Sequence, residues 1–264
     1  MRPFFFGDSA QPLFGVYHPP AGPRPRRSGV VVLNPFGQEY LRAHRCLQQL
    51  AVRLAAEGFH ALRFDYFACG DSAGDDLAGG LERWTEDAAV ALEEMEAHSG
   101  SSRVALVGVR LGAALAVRLA ERCSAVEQLV LWDPVQDGRR YLEELTQAHE
   151  DWIREHAHPR PGGSASSRAQ LLGFPLSPGL RGEIEAVDLS PCRLCPTPYA
   201  LVVTTEGRES GGPLFPDGAK PGGSVDRKLL TGSPVWLRGD GMEGALVPAE
   251  ALDVITAWLA RRSP

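Results

Sequence analysis

Residues 104–120 constrain the fold more than any other part of the chain. Four consecutive apolar residues, VALV (104–107), lead into Gly108-Val109-Arg110-Leu111-Gly112, and an Ala- and Leu-rich stretch (111–120) follows at once. A strand without polar alternation has to be covered on both faces. Glycines flanking the junction let the backbone bend sharply, because they lack the Cβ that would clash in a tight turn. Strand, abrupt turn and helix together form the repeating unit of a mostly parallel sheet held between layers of helices.

The rest of the sequence repeats that unit. Short apolar runs at 3–6, 13–18, 29–33, 60–66, 103–107, 128–132, 198–204 and 234–237 predict about eight strands,. Apolar residues at i, i+3, i+4 spacing predict helices over 43–56, 81–97, 111–122 and 248–261,. Two segments interrupt the alternation. Residues 135–196 hold one predicted helix (141–155), the stretch HPRPGGSASS and then LLGFPLSPGLRGEIEAVDL. An insertion of that length after a strand's C-terminal end reads as a cap over a pocket, set into a core of 1–134 and 197–264. Residues 206–233, rich in Gly and Pro, read as a mobile loop.

Composition narrows the class. At 264 residues and 44% hydrophobic the chain can bury a large core as one domain,. A net charge of −6 speaks against a nucleic-acid partner,. The opening MRPFFFGDSAQP has no apolar leader-type stretch, and no run approaches the ~20 apolar residues that span a bilayer,. Five cysteines, an odd number, suit a reducing compartment better than a disulfide framework, so a cytoplasmic location is expected,. Cys192 and Cys195 form a C-x-x-C, but no histidine beyond His158 could complete a zinc site,. Neither a metal nor a cofactor is called for.

With these elements placed, the chain resembles the α/β-hydrolase fold over essentially its whole length. That family carries a nucleophilic serine at the strand-to-helix turn as G-x-S-x-G. GVRLG has that place, with arginine at its centre. Asn34-Pro35-Phe36-Gly37 stands where the family has its oxyanion loop, and residues 65–72 (DYFACGDS) match its D-x-x-G-x-G-x-S loop. NPFGQEYLRAHR (34–45), GVRLGA (108–113), LVLWDPVQDGRRYLEEL (129–145) and LLGFPLSPGLRGEIEAVDL (171–189) resemble the exosortase-associated hydrolase-like proteins. Those proteins occur alongside bacterial extracellular-polysaccharide and protein-sorting systems. The resemblance implies a subfamily and no substrate.

A G-x-S-x-G does occur, at Gly70-Asp71-Ser72-Ala73-Gly74. The predicted strand ends several residues before it and a loop, DDLAGGLERW, follows, so Ser72 lacks the abrupt elbow that exposes a nucleophile,. At the elbow itself, a guanidinium has donors but no lone pair for attack on a carbonyl. The histidine of a triad would follow the last strand, yet all seven histidines precede residue 159,. Asp133, Glu206 and Glu209 are the acids left near the expected site.

The elbow still places residue 110 at a helix N-terminus, with the N–H groups of Leu111 and Phe36 at the oxyanion positions and Gly37 beside them. Two readings follow. Arg110 grips an anionic group together with those donors, or it pairs internally with Asp133, Glu206 or Glu243 and plugs the pocket. Tyr40, Arg42 and His44 could line the same mouth, and His149, His156 or His158 could import a base from the cap. The expectation is an altered or inactive hydrolase homologue that binds a small anionic or acylated ligand near Arg110. The alternative is an ester or thioester hydrolase, or an acyl transferase, working without serine through water activated by a carboxylate. An ordinary esterase through Ser72 is a third reading, which the spacing opposes. The expected partner is a small molecule, not nucleic acid or a membrane, and a second copy of the chain or a protein partner stays open.

Overall fold

The computed structural model describes residues 1–22, 25–156, 170–208, 212–232, 236–237 and 248–263. In chain order the first half gives β1 (Arg2–Phe6), β2 (Leu13–His18), β3 (Gly29–Leu33), α1 (Gly37–Ala56), β4 (His60–Phe64), α2 (Leu81–Ser99), β5 (Val104–Val109) and α3 (Leu111–Arg122). The second half gives β6 (Val126–Trp132), α4 (Gly138–His156), β7 (Gln170–Leu171), β8 (Phe174–Pro175), α5 (Pro178–Glu185), β9 (Tyr199–Thr205), β10 (Ser224–Leu230) and α6 (Ala249–Arg262). Eight strands form one sheet in the order β1-β2-β4-β3-β5-β6-β9-β10. β2 pairs antiparallel with both β1 and β4, and every pairing from β4 to β10 is parallel. This is the α/β-hydrolase fold.

The absence of polar alternation in the central strands has a direct structural cause. Side chains of successive strand residues point to opposite faces. In β3, Val30 and Val32 join the α1 and α6 side with Leu47, Leu50 and Trp258, whereas Val31 and Leu33 join the α2 and α3 side with Leu115 and Met95. Both faces are covered, so both registers are apolar. The order reverses around β3, and in open parallel sheets the crevice beyond the strand C-termini at such a point is where ligands bind.

Two predicted elements are corrected. The eighth strand is β10, inside the stretch read as a loop, and not 234–237. Its SVDRKLL is an edge strand with six residues only partly buried or exposed, then a buried Leu230, so it lacks the apolar signature of its neighbours. Residues 234–235 lie outside the described residues, and Trp236 and Leu237 form a bend. Helix α1 starts at Gly37, six residues before the periodic apolar run, so Tyr40 rides on the same helix as His44 and not on a loop before it.

Between β6 and β9 the insertion folds as α4, the β7–β8 hairpin and α5, and α4 packs on α5. A Cβ on Gly138 would lie 1.6 Å from the Ile184 carbonyl oxygen, so the two helices meet where only glycine fits,. Ser177 caps α5 by accepting the Leu180 N–H, and proline opens its first turn,. Among the described residues no helix is long and apolar enough to cross a membrane.

Candidate functional site

The elbow is built as its glycines require. A Cβ on Gly108 would come within 2.5 Å of the Ala113 Cα, and one on Gly112 within 2.4 Å of the Leu33 carbonyl oxygen. Helix α3 therefore starts pressed against β3 and β5. Arg110 between them has φ 53° and ψ −117°, a conformation that a side chain disfavours and that only its surroundings can hold,. Its N–H donates to the Trp132 carbonyl (3.0 Å), and its own carbonyl accepts from Ala113 (3.0 Å) and Val135 (3.3 Å). Leu111 is the first residue of α3, and Phe36 is the cap residue of α1. First-turn N–H groups have no intrahelical acceptor, so both helices direct donors towards the crevice.

The guanidinium of Arg110 is buried and engaged by the protein itself. Its Nε donates to Glu39 Oε1 (2.7 Å), one terminal nitrogen to the Asp133 carbonyl (3.2 Å) and the other to Glu144 Oε2 (3.1 Å). Glu39 is wholly buried at the start of α1, and its second oxygen accepts from the Tyr141 hydroxyl (2.8 Å). The Tyr141 ring lies 5.2 Å from the guanidinium carbon. Arg208, just after β9, reaches the other Glu144 oxygen at 2.7 Å. Burial disfavours the charge on Arg110, but Glu39, Tyr141 and Glu144 outweigh it and hold the guanidinium protonated more firmly than usual,. Burial and the adjacent Glu39 push the Tyr141 phenol up, so it remains a donor.

Internal pairing is therefore real, but with partners other than those expected. Asp133 contributes only its backbone carbonyl. Its carboxylate accepts from the Thr205 N–H (2.6 Å), the Thr205 hydroxyl (2.7 Å) and the Trp236 indole (2.7 Å), ligands that suit a buried strut and leave no base aimed at a ligand. Glu206 is exposed in the turn after β9. Glu209 and Glu243 lie outside the described residues. Glu39, Tyr141 and Glu144 were not anticipated. The signal in sequence was faint: one acid in the first turn of a helix, and a Tyr and a Glu three apart on one helical face.

Two cavities flank the elbow. One, of about 150 Å³, is walled by the loop before α1, by α2, by the first turns of α3 and by the insertion: Phe36, Trp84, Leu111, Leu115, Phe174 and Leu180 among others. Gly37 and Tyr40 also line it, Tyr40 tied by its hydroxyl to Asp65 Oδ1 (2.5 Å). Arg110 is not one of its walls. The other, about 220 Å³ and polar, is lined by Arg110, Arg140, Tyr141, Glu144 and Arg208. The expected site is thus divided: Phe36, Gly37, Tyr40 and Leu111 share the apolar cavity, and Arg110 faces the polar one. His44, exposed on α1 with its ring against Tyr40, lines neither.

The remaining candidates have structural positions. Ser72 Oγ donates to the Asp65 carbonyl (2.6 Å) and accepts from Phe14 N–H (2.8 Å), fastening its loop to β2. His149 accepts from the Leu172 N–H (3.2 Å) and holds the hairpin to α4. The ring of His156 stacks on Trp152 on an exposed helix face, and His158 lies outside the described residues. Cys69 lines the apolar cavity, but burial together with Asp65, Asp87 and Asp76 pushes its thiol up to about 12, far from a nucleophilic thiolate,. Cys192 and Cys195 are free thiols, and among the described residues no cluster of three or more His, Cys, Asp or Glu is placed to hold a metal.

Known proteins place this architecture. No curated protein matches the chain. Among solved structures, the proline iminopeptidase of Mycobacterium smegmatis superposes with a TM-score of 0.66 at 17% identity over 98% of each chain. A soluble variant of the monoglyceride lipase of Saccharomyces cerevisiae gives 0.66 at 11% identity, covering 99% of this chain and 95% of that one. Est1E of Butyrivibrio proteoclasticus, solved with ferulic acid bound, gives 0.66 at 12% identity over 98% and 96%. At such identities these likenesses carry the fold alone. The model of the serine aminopeptidase S33 family matches residues 26–172, more than half of the sequence and the whole span from before β3 to the hairpin after α4. The chain with an arginine at its elbow belongs to the serine aminopeptidase S33 family of α/β hydrolases.

Proposed function

We propose that this protein binds a small acylated ligand in the apolar cavity and does not hydrolyse it by serine chemistry. The observation that carries the reading is the elbow residue. A protonated guanidinium, bonded to Glu39, Glu144 and the Asp133 carbonyl, stands where a nucleophile would need a lone pair,. No histidine follows His158 to act as base, the hydroxyl of Ser72 is bonded to Asp65 and Phe14, and the Asp133 carboxylate is bonded to Thr205 and Trp236. What the fold retains is a binding geometry: N–H donors of Leu111 and Phe36 for a carbonyl oxygen, and an aromatic and aliphatic box for a short acyl chain,. The insertion serves as the cap, contributing Phe174 and Leu180 to that box. The four stretches resembling exosortase-associated hydrolase-like proteins support a place in that subfamily.

The test uses a fluorophosphonate probe and p-nitrophenyl butyrate. The protein is expected to take no covalent label and release no nitrophenol above background. The unreacted ester should raise its melting temperature, and Leu180→Trp, which fills the box, should lose that shift. Labelling or turnover that disappears in Ser72→Ala would overturn the proposal.

A further inference from the structure

The polar cavity on the other side of the elbow carries a second inference, independent of the acyl pocket. Glu144 reaches into it from α4 and sets its two carboxylate oxygens on two guanidiniums, Oε2 on Arg110 at 3.1 Å and Oε1 on Arg208 at 2.7 Å. That is how a bound oxyanion is held by an arginine pair, each oxygen taken by a separate fork. Arg140, exposed at the rim, lines the same cavity of about 220 Å³, which leaves room beyond the carboxylate for a group larger than the one now present.

The members of the cluster differ in their freedom to leave. The Arg110 side chain is 6% exposed and fixed by wholly buried Glu39, and that of Arg208 is 12% exposed. Glu144 is 36% exposed on a surface helix, so rotation of one side chain takes it to water. Its departure would leave Arg110, Arg208 and Arg140 among the described residues that line the cavity, with Asp137 as the acid beside them. Glu39 is already committed to Arg110 and Tyr141, and Asp137 accepts the N–H groups of Arg139 and Arg140.

We propose that this cavity is a binding site for the carboxylate or phosphoryl group of a small molecule, with the chain's own Glu144 as the intramolecular occupant that such an anion displaces. Calorimetric titration of the full chain tests it, with inorganic phosphate and acetate as the two probes. Glu144→Ala should bind at least one of them tenfold or more tighter than the wild type, because the competing carboxylate is gone. Adding Arg208→Ala to that variant should abolish the gain. Phosphate has a further oxygen for Arg140 and should bind more tightly than acetate if the site takes phosphoryl groups, whereas the opposite order assigns it to carboxylates. Glu144→Gln, which keeps the side-chain shape, should rank between wild type and Glu144→Ala and guards against misfolding of the alanine variant. Affinity for both probes unchanged by either substitution, or no binding to any of the proteins, would overturn the proposal. A failure of the acyl-ligand experiment leaves this outcome untouched, since the probes and cavities differ.

Discussion

GVRLG at 108–112 and GDSAG at 70–74, two glycine-bounded stretches of five residues, illustrate opposite halves of what a nucleophile site requires. The second has the serine. Its hydroxyl, however, is bonded into the loop at both ends, and no helix starts behind it. The first has the geometry: a strand ending at Val109, a helix starting at Leu111, and a residue held at φ 53° between them. Strain and helix N-terminus survive there without the atom they serve elsewhere. A motif read as letters would choose the stretch that has no elbow. The physical criterion is the abruptness of the turn and what holds it.

The comparison can be broken at Arg110. If the elbow arginine is a strut between Glu39 and Glu144, Arg110→Ala strands the carboxylate of Glu39 in the core with the Tyr141 hydroxyl as its one side-chain donor among the described residues. Removing one partner of a buried ion pair costs about 3–5 kcal/mol. The urea midpoint should fall accordingly, and the double variant Arg110→Met with Glu39→Gln should recover part of the loss, since no buried charge then remains unpaired. Equal stability of wild type and Arg110→Ala would mean that Glu39 escapes to water and that the elbow is not braced by this pair.

Ser72→Ala sharpens the other half. The hydroxyl accepts from the Phe14 N–H in β2 and donates to the Asp65 carbonyl. Its loss leaves a partly buried backbone donor without that acceptor, worth about 1–2 kcal/mol. A stability loss of that size, seen in thermal unfolding and with p-nitrophenyl butyrate release unchanged from background, is the signature of a structural serine. A variant as stable as wild type would contradict the fastening role.

The fold was legible because its determinants are local and repeated. Continuous valine and leucine runs require a sheet covered on both faces, and a helix is expected at 111–122 because an Ala- and Leu-rich run follows the turn behind Gly108 at once. Edge strand β10 was missed for the converse reason: with one side open to water, SVDRKLL need not be apolar,. The site was legible only as backbone. Arg110, Leu111 and Phe36 were placed by the turn itself, but the partners of the guanidinium come from positions 39, 141 and 144, brought together by the packing of α1 and α4 around the end of β5. Nothing in one sequence ranks Glu39 above Asp133 as a partner. Asp133 was nearer in the predicted topology, and Thr205 and Trp236 turn its carboxylate away.

The smallest expected effect separates the two arginine partners by pH. Burial pushes the Glu144 carboxyl up, but Arg110 and Arg208 outweigh it and hold it below its ordinary value of 4.5. A carboxylate whose folded value is depressed contributes stability above 4.5 that is lost as the pH falls below it. Because the side chain is 36% exposed, solvent screening limits that contribution to less than about 1 kcal/mol,. Burial, with the positive charges of Arg63 and the N-terminus, lowers His18 from 6.5 to about 4, and neutral His18 loses its advantage as the pH falls from 6.5 towards 4. That loss has the same direction but lies at higher pH, and it is common to wild type and Glu144→Gln. The difference between the two proteins therefore isolates Glu144. Urea midpoints should show Glu144→Gln slightly less stable at pH 7, with the gap closing as the pH drops below 4.5. A gap that stays constant to pH 3 would show that Glu144 acts by packing and not by charge, so that the elbow arginine is held by Glu39 and the Asp133 carbonyl.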